Sequence, residues 1–181
     1  MNPKTLPEFR SCFSRCFQLF EKKTIDYGTA WRILRLPSLT DQIFIKAMRI
    51  RTLEENGYSE VGEGIEEEYV AIVNYCVMAL VQWEDQGTGS WNMDPTVAIA
   101  RYETWKQAIE DLMVKKNTDY GEAWREMRIS SLTDLILMKL LRIQQIENQQ
   151  GKTLVSEGVD AGYMDMANYA LFALIRLNET T

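Results

Sequence analysis

Acidic side chains gather at the start of one predicted helix in each half of the chain. In the first half, one helical arc holds Glu63, Glu66, Glu67 and Asn74. In the second half, the same arc holds Glu157, Asp160, Asp165 and Asn168. Grouped carboxylates are the hard oxygen ligands that Mg²⁺ and Mn²⁺ prefer. We therefore expect Mg²⁺ or Mn²⁺, with a nucleotide present, to bind among five acids: Glu63, Glu66, Glu157, Asp160 and Asp165.

A solvated helix start is the alternative for these acids, because carboxylates interact favourably with the helix dipole there. This simpler role is expected for Glu68. Both interpretations stay open for Glu63 and Glu157, each of which is followed by glycine.

Six cationic positions recur 93 residues apart. Lysine and arginine beside a metal site can hold phosphates and neutralise charge during phosphoryl transfer. The predicted substrate-binding residues, completed by two asparagines, are Lys22, Lys23, Arg32, Lys46, Arg49, Lys115, Lys116, Arg125, Lys139, Arg142, Asn74 and Asn168. Arg35 and Arg128 recur in the same way. The alternative is that these cations pair with Asp26, Asp41 and the acids of the predicted helix, which would make them structural.

Aromatic residues lie beside the cations in both halves. Tyr27 with Trp31, and Tyr120 with Trp124, could stack on a base or fill the space between the first two helices, and the second role is favoured. The aspartates before each Tyr-Gly pair are expected to be structural, accepting backbone hydrogen bonds in a turn or pairing with Arg32 and Arg125.

These groups recur because the chain is duplicated. From Lys22 to Ile50, 17 of 29 positions are identical to those 93 residues later. We expect two repeats, 1–93 and 94–181, packed about a pseudo-twofold axis as one compact unit.

Apolar spacing predicts three helices in each repeat and no strand, hence an all-α helical bundle. The first helix covers 8–23. Capping-box patterns at Ser38 and Ser131 predict the start of the second helix, with Pro37 stopping the chain just before it in the first repeat. The third helices, Glu63–Trp83 and Glu157–Leu177, are expected to lie close together across the axis.

Composition narrows the classes of function. The net charge of −6 argues against a binder of duplex nucleic acid, which normally carries a basic surplus. The absence of histidine excludes a histidine base and disfavours a zinc site. No apolar run is long enough to span a membrane, and Met1–Arg10 lacks a signal-peptide core, so we expect a cytoplasmic protein with no membrane partner. A homodimer is a possible assembly.

Three motifs together resemble known families. They read Lys-x-x-Asp-Tyr-Gly-x-Ala-Trp from Lys23 and Lys116, Lys-x-x-Arg-Ile from Lys46 and Lys139, and Asp-Met-Ala-Asn-Tyr over 165–169. This set is similar to the nucleotide-modification-associated domain found in phage and bacterial genomes. Carboxylate pairs three residues apart in a small α-bundle also resemble the MazG-like all-α nucleoside-triphosphate pyrophosphatases, which include the dimeric dUTPases.

The MazG-like resemblance implies Mg²⁺-activated water that attacks a nucleoside triphosphate and yields monophosphate and pyrophosphate. Glu63-x-x-Glu66 and Glu157-x-x-Asp160 match the metal-binding pairs of those enzymes, and Glu66 or Glu157 would serve as the general base. Both pairs lie on the third helix of their own repeat, and Asp165 has Ala71 as its counterpart. The implied site is therefore asymmetric or composite. The alternative function is a non-catalytic helical scaffold or nucleotide-sensing module.

Overall fold

Six helices in two equivalent sets of three build the chain in a computed structural model, which describes residues 1–57, 64–86, 89–150 and 158–179. The helices are α1 (Thr5–Tyr27), α2 (Leu36–Asn56), α3 (Ile65–Glu84), α4 (Pro95–Tyr120), α5 (Ile129–Asn148) and α6 (Val159–Glu179). Short 3₁₀ turns, Ala30–Ile33 and Ala123–Glu126, follow α1 and α4. The described residues are 85% helical and include no strand, which confirms the predicted all-α class.

The Asp-Tyr-Gly element ends the first helix of each repeat. Gly28 has φ of 69° and Gly121 has φ of 61°, backbone conformations that glycine adopts without a steric cost. Each glycine N–H donates to the last turn of its helix, from Gly28 to the Thr24 carbonyl oxygen at 2.9 Å and from Gly121 to that of Asn117 at 3.1 Å. The two glycines therefore set where the chain leaves α1 and α4.

The predicted starts of the second helices were wrong by two residues. α2 begins at Leu36 and α5 at Ile129, behind Arg35 and Arg128 in extended conformation, and no side-chain cap is formed at either end. Pro37 lies inside the first turn of α2, because proline has no N–H to lose there and its φ already suits a helix. The threonine of each capping-box pattern is left free for contacts with other helices.

Helices α3 and α6 form the centre of the bundle and share the most extensive helix–helix contact in the described part of the chain. The predicted packing of the two third helices is thereby confirmed. α2 and α5 cover this pair and also pack against each other, while α1 and α4 pack outside. Burial reaches most sides of α6, with residues such as Met166, Leu171 and Ile175 at most 1% exposed.

Two hydroxyl pairs cross between the repeats and show the pseudo-twofold relationship. The oxygens of Tyr69 and Thr133 lie 2.7 Å apart, and those of Tyr163 and Thr40 also lie 2.7 Å apart. Thr40 and Thr133 are equivalent residues of α2 and α5, and the two tyrosines are equivalent residues of α3 and α6. Each repeat thus completes a buried polar contact of the other.

No helix in the described ranges is long and apolar enough to cross a membrane.

Candidate functional site

A cavity of about 520 Å³ opens in the first repeat between the end of α1, the Ala30–Ile33 turn, α2 and α3. Cavities of roughly 300–1,000 Å³ are the usual size for small-molecule sites. Its walls combine aromatic rings with charged and polar groups, chiefly Phe20, Tyr27, Trp31, Tyr75, Lys23, Lys46, Glu67, Glu68, Thr24 and Asn74. The Tyr-Gly-x-Ala-Trp part of the repeated motif forms one side of this opening.

Glu68 and Lys46 form the charged wall of the cavity. The Lys46 Nζ lies 3.2 Å from Glu68 Oε2, and Arg49 contacts the other carboxylate oxygen. The Glu68 side chain is 2% exposed, so the expectation of a solvated Glu68 was wrong. A carboxylate this deeply buried requires cationic partners, and α2 supplies both of them.

Trp31 contributes an indole N–H that has no acceptor. Its Nε1 is buried and lacks a hydrogen-bond partner within the described part of the chain. The equivalent Trp124 donates from Nε1 to Asn117 Oδ1 at 3.1 Å. Thr24 stands where the second repeat has Asn117, so the first repeat has no amide oxygen there. A buried donor without an acceptor is costly, and an acceptor on a ligand would satisfy it.

The corresponding region of the second repeat is occupied by an ion-pair cluster. Asp165 is buried on α6 where the first repeat has Ala71. The Lys139 Nζ lies 2.8 Å from Asp165 Oδ2, and Lys116 contacts Oδ1. Lys116 is the equivalent of Lys23, for which the described ranges offer no carboxylate within ion-pair distance. The two repeats therefore place equivalent lysines in opposite situations, paired in one and available in the other.

Two of the four arginines predicted to bind substrate, Arg32 and Arg125, are held by contacts within the protein. Arg32 contacts Asp85 and Gln82 and donates to the Ser90 carbonyl oxygen at 3.1 Å. Arg125 is held by three carboxylates, those of Glu8, Glu122 and Glu179. These contacts occupy the guanidinium donors and tie the 3₁₀ turns to neighbouring segments. Neither arginine lines the first-repeat cavity.

The asparagine amides are also structural. Asn74 borders the cavity, yet its Nδ2 donates to the Cys16 carbonyl oxygen at 3.1 Å and its Oδ1 accepts from Tyr102 at 2.7 Å. Asn168 repeats the first bond, from Nδ2 to the Ile109 carbonyl oxygen at 3.4 Å. Its Oδ1 has no partner in the described part of the molecule. The first repeat has Phe9 at the position equivalent to Tyr102, and a phenyl ring offers no hydroxyl.

The described acids do not converge as the predicted metal site requires. Glu66 pairs with Arg15 on α1, Asp160 lies in the first turn of α6, and Asp165 is neutralised by two lysines. Across the described ranges no three metal-ligating side chains form a cluster. Glu63 and Glu157 lie outside the described residues. The described acids by themselves therefore do not assemble the predicted magnesium or manganese site.

Three further residues predicted to bind substrate are exposed and lie outside the cavity lining. They are Lys22, Lys115 and Arg142, which is the equivalent of Arg49 on α5. Tyr27 and Tyr120 are 70% and 73% exposed, so they do not fill a space between helices as favoured from the sequence.

The tryptophans do fill interior space. Trp124 stacks on Phe172 with ring centroids 4.2 Å apart, and Trp31 packs against Phe20. The two aspartates before Tyr-Gly are exposed, and the described part of the chain shows no hydrogen bond or ion pair to either, so their expected role in the turn was wrong.

The fold and the cavity define a duplicated all-α protein whose first repeat carries an open cavity lined by aromatic and charged side chains. The chain matches the family described as "Nucleotide modification associated domain 1" over residues 23–83 and 116–177, one segment in each repeat. Because these segments cover more than half of the chain, the chain belongs to that family. Comparison with curated proteins and with solved structures found no match.

Proposed function

We propose that the protein binds a nucleotide in the first-repeat cavity. The observation that carries the proposal is that two residues lining one opening lack protein partners in the described part of the chain: the buried Trp31 N–H has no acceptor, and the exposed Lys23 has no carboxylate. A nucleotide supplies both complements, because its base or sugar carries neutral acceptors and its phosphate carries negative charge. The family's description points the same way.

The residues that line the cavity support separate places for the base and for the phosphate of the nucleotide. Trp31 and Tyr75 present aromatic surface on which a base can stack, and exposed Tyr27 lies at the opening. Lys23 and Lys46 supply positive charge for the phosphate. Lys46 keeps donors for this purpose, since an ammonium has three N–H groups and Glu68 does not use all of them.

Hydrolysis of a nucleoside triphosphate to monophosphate and pyrophosphate is the second candidate function. Two carboxylates on the cavity wall, Glu67 and Glu68, favour it, and the MazG-like resemblance suggests the reaction with Mg²⁺ or Mn²⁺ as cofactor. Glu67 is the exposed member and is free to act as a base on water. The pairing of Glu68 with Lys46 and Arg49 favours the non-catalytic nucleotide-sensing alternative.

Isothermal titration with the common ribo- and deoxyribonucleotides, with and without Mg²⁺ or Mn²⁺, tests binding. We expect at least one nucleotide to bind, and Trp31→Phe to weaken binding about tenfold, which corresponds to about 1.4 kcal/mol. Trp91→Phe is the matched control, because Trp91 is 67% exposed and lies outside the cavity lining. The proposal fails if no nucleotide binds, or if the two variants behave alike.

Pyrophosphate release by the same nucleotides separates the two functions. Metal-dependent release that Glu67→Gln abolishes, with binding retained, supports the pyrophosphohydrolase. Binding with no release at any metal concentration supports the sensing module. A metal that binds the folded protein also raises the melting temperature with concentration, which provides an independent readout.

A further inference from the structure

The two repeats differ in where a carboxylate contacts the lysines that are equivalent in both, Lys23 and Lys46 in the first repeat and Lys116 and Lys139 in the second. In the second repeat the carboxylate belongs to Asp165, which contacts Lys116 and Lys139 through its two oxygens. In the first repeat the equivalent position is Ala71, which lines the cavity. The first-repeat carboxylate is Glu68, three residues earlier on α3, and it contacts Lys46 and Arg49 instead.

Because the first-repeat carboxylate lies at Glu68, Lys23 has no ion-pair partner in the described part of the chain, unlike its equivalent Lys116. Its equivalent Lys116 has Asp165, while Lys23 lines a cavity with no carboxylate at the position of Ala71. The second repeat shows that lysines at these two positions reach one anionic group from two sides. In the first repeat, Ala71, Lys23 and Lys46 all line the open cavity.

We infer that the first-repeat cavity binds the phosphate of its ligand over Ala71, between Lys23 and Lys46, in the place that the Asp165 carboxylate occupies in the second repeat. Asp165 is thus an internal counterpart of the ligand anion, and each chain binds one ligand. The inference rests on the proposed nucleotide-binding function, of which it specifies the anion subsite. A nucleoside without a phosphate lacks this contact.

Exchanging the two residues tests the inference. Ala71→Asp places a carboxylate between Lys23 and Lys46 and should weaken binding of nucleoside monophosphates and inorganic phosphate at least tenfold, with the melting temperature retained or raised. Ala71→Asn is the matched control, because its side chain has the same size without the charge, and it should weaken binding less. Asp165→Ala removes the internal anion and should raise the stoichiometry of phosphate binding above one per chain.

Titration calorimetry with inorganic phosphate, nucleosides and nucleoside monophosphates distinguishes the outcomes. If a nucleotide binds and Ala71→Asp leaves its affinity unchanged, the anion subsite is wrong and nucleotide binding stands. If phosphate binds in an Ala71-dependent manner but no nucleotide does, the subsite stands and the proposed function is wrong. If neither probe binds, both are wrong.

Lys23→Gln provides the same test should Ala71→Asp fail to fold. We expect it to weaken phosphate and nucleotide binding about tenfold, whereas Lys22→Gln, on the adjacent exposed residue outside the cavity lining, should not. Equal affinities of these two variants would overturn the assignment of the subsite.

Discussion

The hydroxyl oxygens of Tyr69 and Thr133 lie 2.7 Å apart and join α3 of the first repeat to α5 of the second. Both residues are fully buried. Glu54 extends the contact, since Thr133 donates to its Oε1 at 3.4 Å. We expect this chain of polar groups, with its counterpart around Thr40, to make the two repeats unfold as one cooperative unit.

Removing the Tyr69 hydroxyl should destabilise both repeats together. We expect Tyr69→Phe to lower the free energy of unfolding by about 1–2 kcal/mol, because one buried hydrogen bond is lost and Thr133 keeps a poorer partner. Urea denaturation followed by circular dichroism measures the change. Tyr163→Phe should have a similar effect, and the transition should stay single; separate transitions for the two halves would contradict the cooperative unit.

Stability should fall with rising pH through Glu147. Burial raises the pKa of the Glu147 carboxyl above its ordinary value of 4.5, and the hydrogen bond from Thr40 offsets only part of this effect. Because the folded state holds this proton more tightly than the unfolded chain does, the free energy of unfolding decreases as pH rises from 4.5 through the raised pKa.

Glu147→Gln removes this titration and should therefore stabilise the protein near neutral pH relative to wild type, with the difference disappearing in acid. Melting temperatures measured across the acidic range check the sign. Burial likewise raises the pKa of Glu54, so Glu54→Gln should act in the same direction. A wild-type protein that gained stability across this window relative to the variants would show the opposite linkage.

The Trp31 N–H can be given an internal acceptor. Thr24→Asn reproduces the residue that serves Trp124 in the second repeat, so we expect a higher melting temperature and a lower nucleotide affinity. The reverse change, Asn117→Thr, should cost about 1–3 kcal/mol because it leaves the buried Trp124 N–H without a partner. Calorimetric melting and titration on the same samples measure both effects. Tighter nucleotide binding by Thr24→Asn would contradict the role given to the N–H.

Arg32 should matter for stability and not for binding. Its side chain is 2% exposed and contacts Asp85, whose pKa is held below its usual range by Arg101 first and by Arg32 second. We expect Arg32→Gln to lower the free energy of unfolding by about 2 kcal/mol, less than for an isolated buried pair because Arg101 still serves Asp85. Nucleotide affinity measured at a temperature where the variant is folded should match wild type; a selective loss of affinity would restore the phosphate-binding role expected from the sequence.

The sequence predicted the helices and the duplication well because both leave local signals. Apolar residues recur with helical spacing, and Gly28 and Gly121 mark helix ends through a backbone conformation that other residues disfavour. The start of α2 was mispredicted because the pattern Ser-x-x-Asp can cap a helix or can lie inside its first turns, as it does here. Pro37 fits the first turn of a helix as well as the chain before it, and only packing decides.

The site was predicted less well because ion pairs depend on which helix faces which. Glu68 resembles the solvated acids beside it in the sequence, yet it shares its helix face with Ile72 and Cys76, which are buried. The signal that could have found it was the pair Lys46 and Arg49, spaced to share one face of the preceding helix. The difference between Ala71 and Asp165 is visible in the sequence, but its meaning depends on Lys116 lying within reach.

Joining the two halves in one chain lets each half carry its own residue at every equivalent position. In a symmetric dimer of a single short chain, any substitution would appear at both sites at once, so alanine and aspartate could not occupy equivalent positions as Ala71 and Asp165 do. The hydroxyl pairs at the shared axis stay alike in both halves because each contact draws on both of them. Away from the axis, one half can keep an open cavity while the other places an ion-pair cluster in the equivalent region.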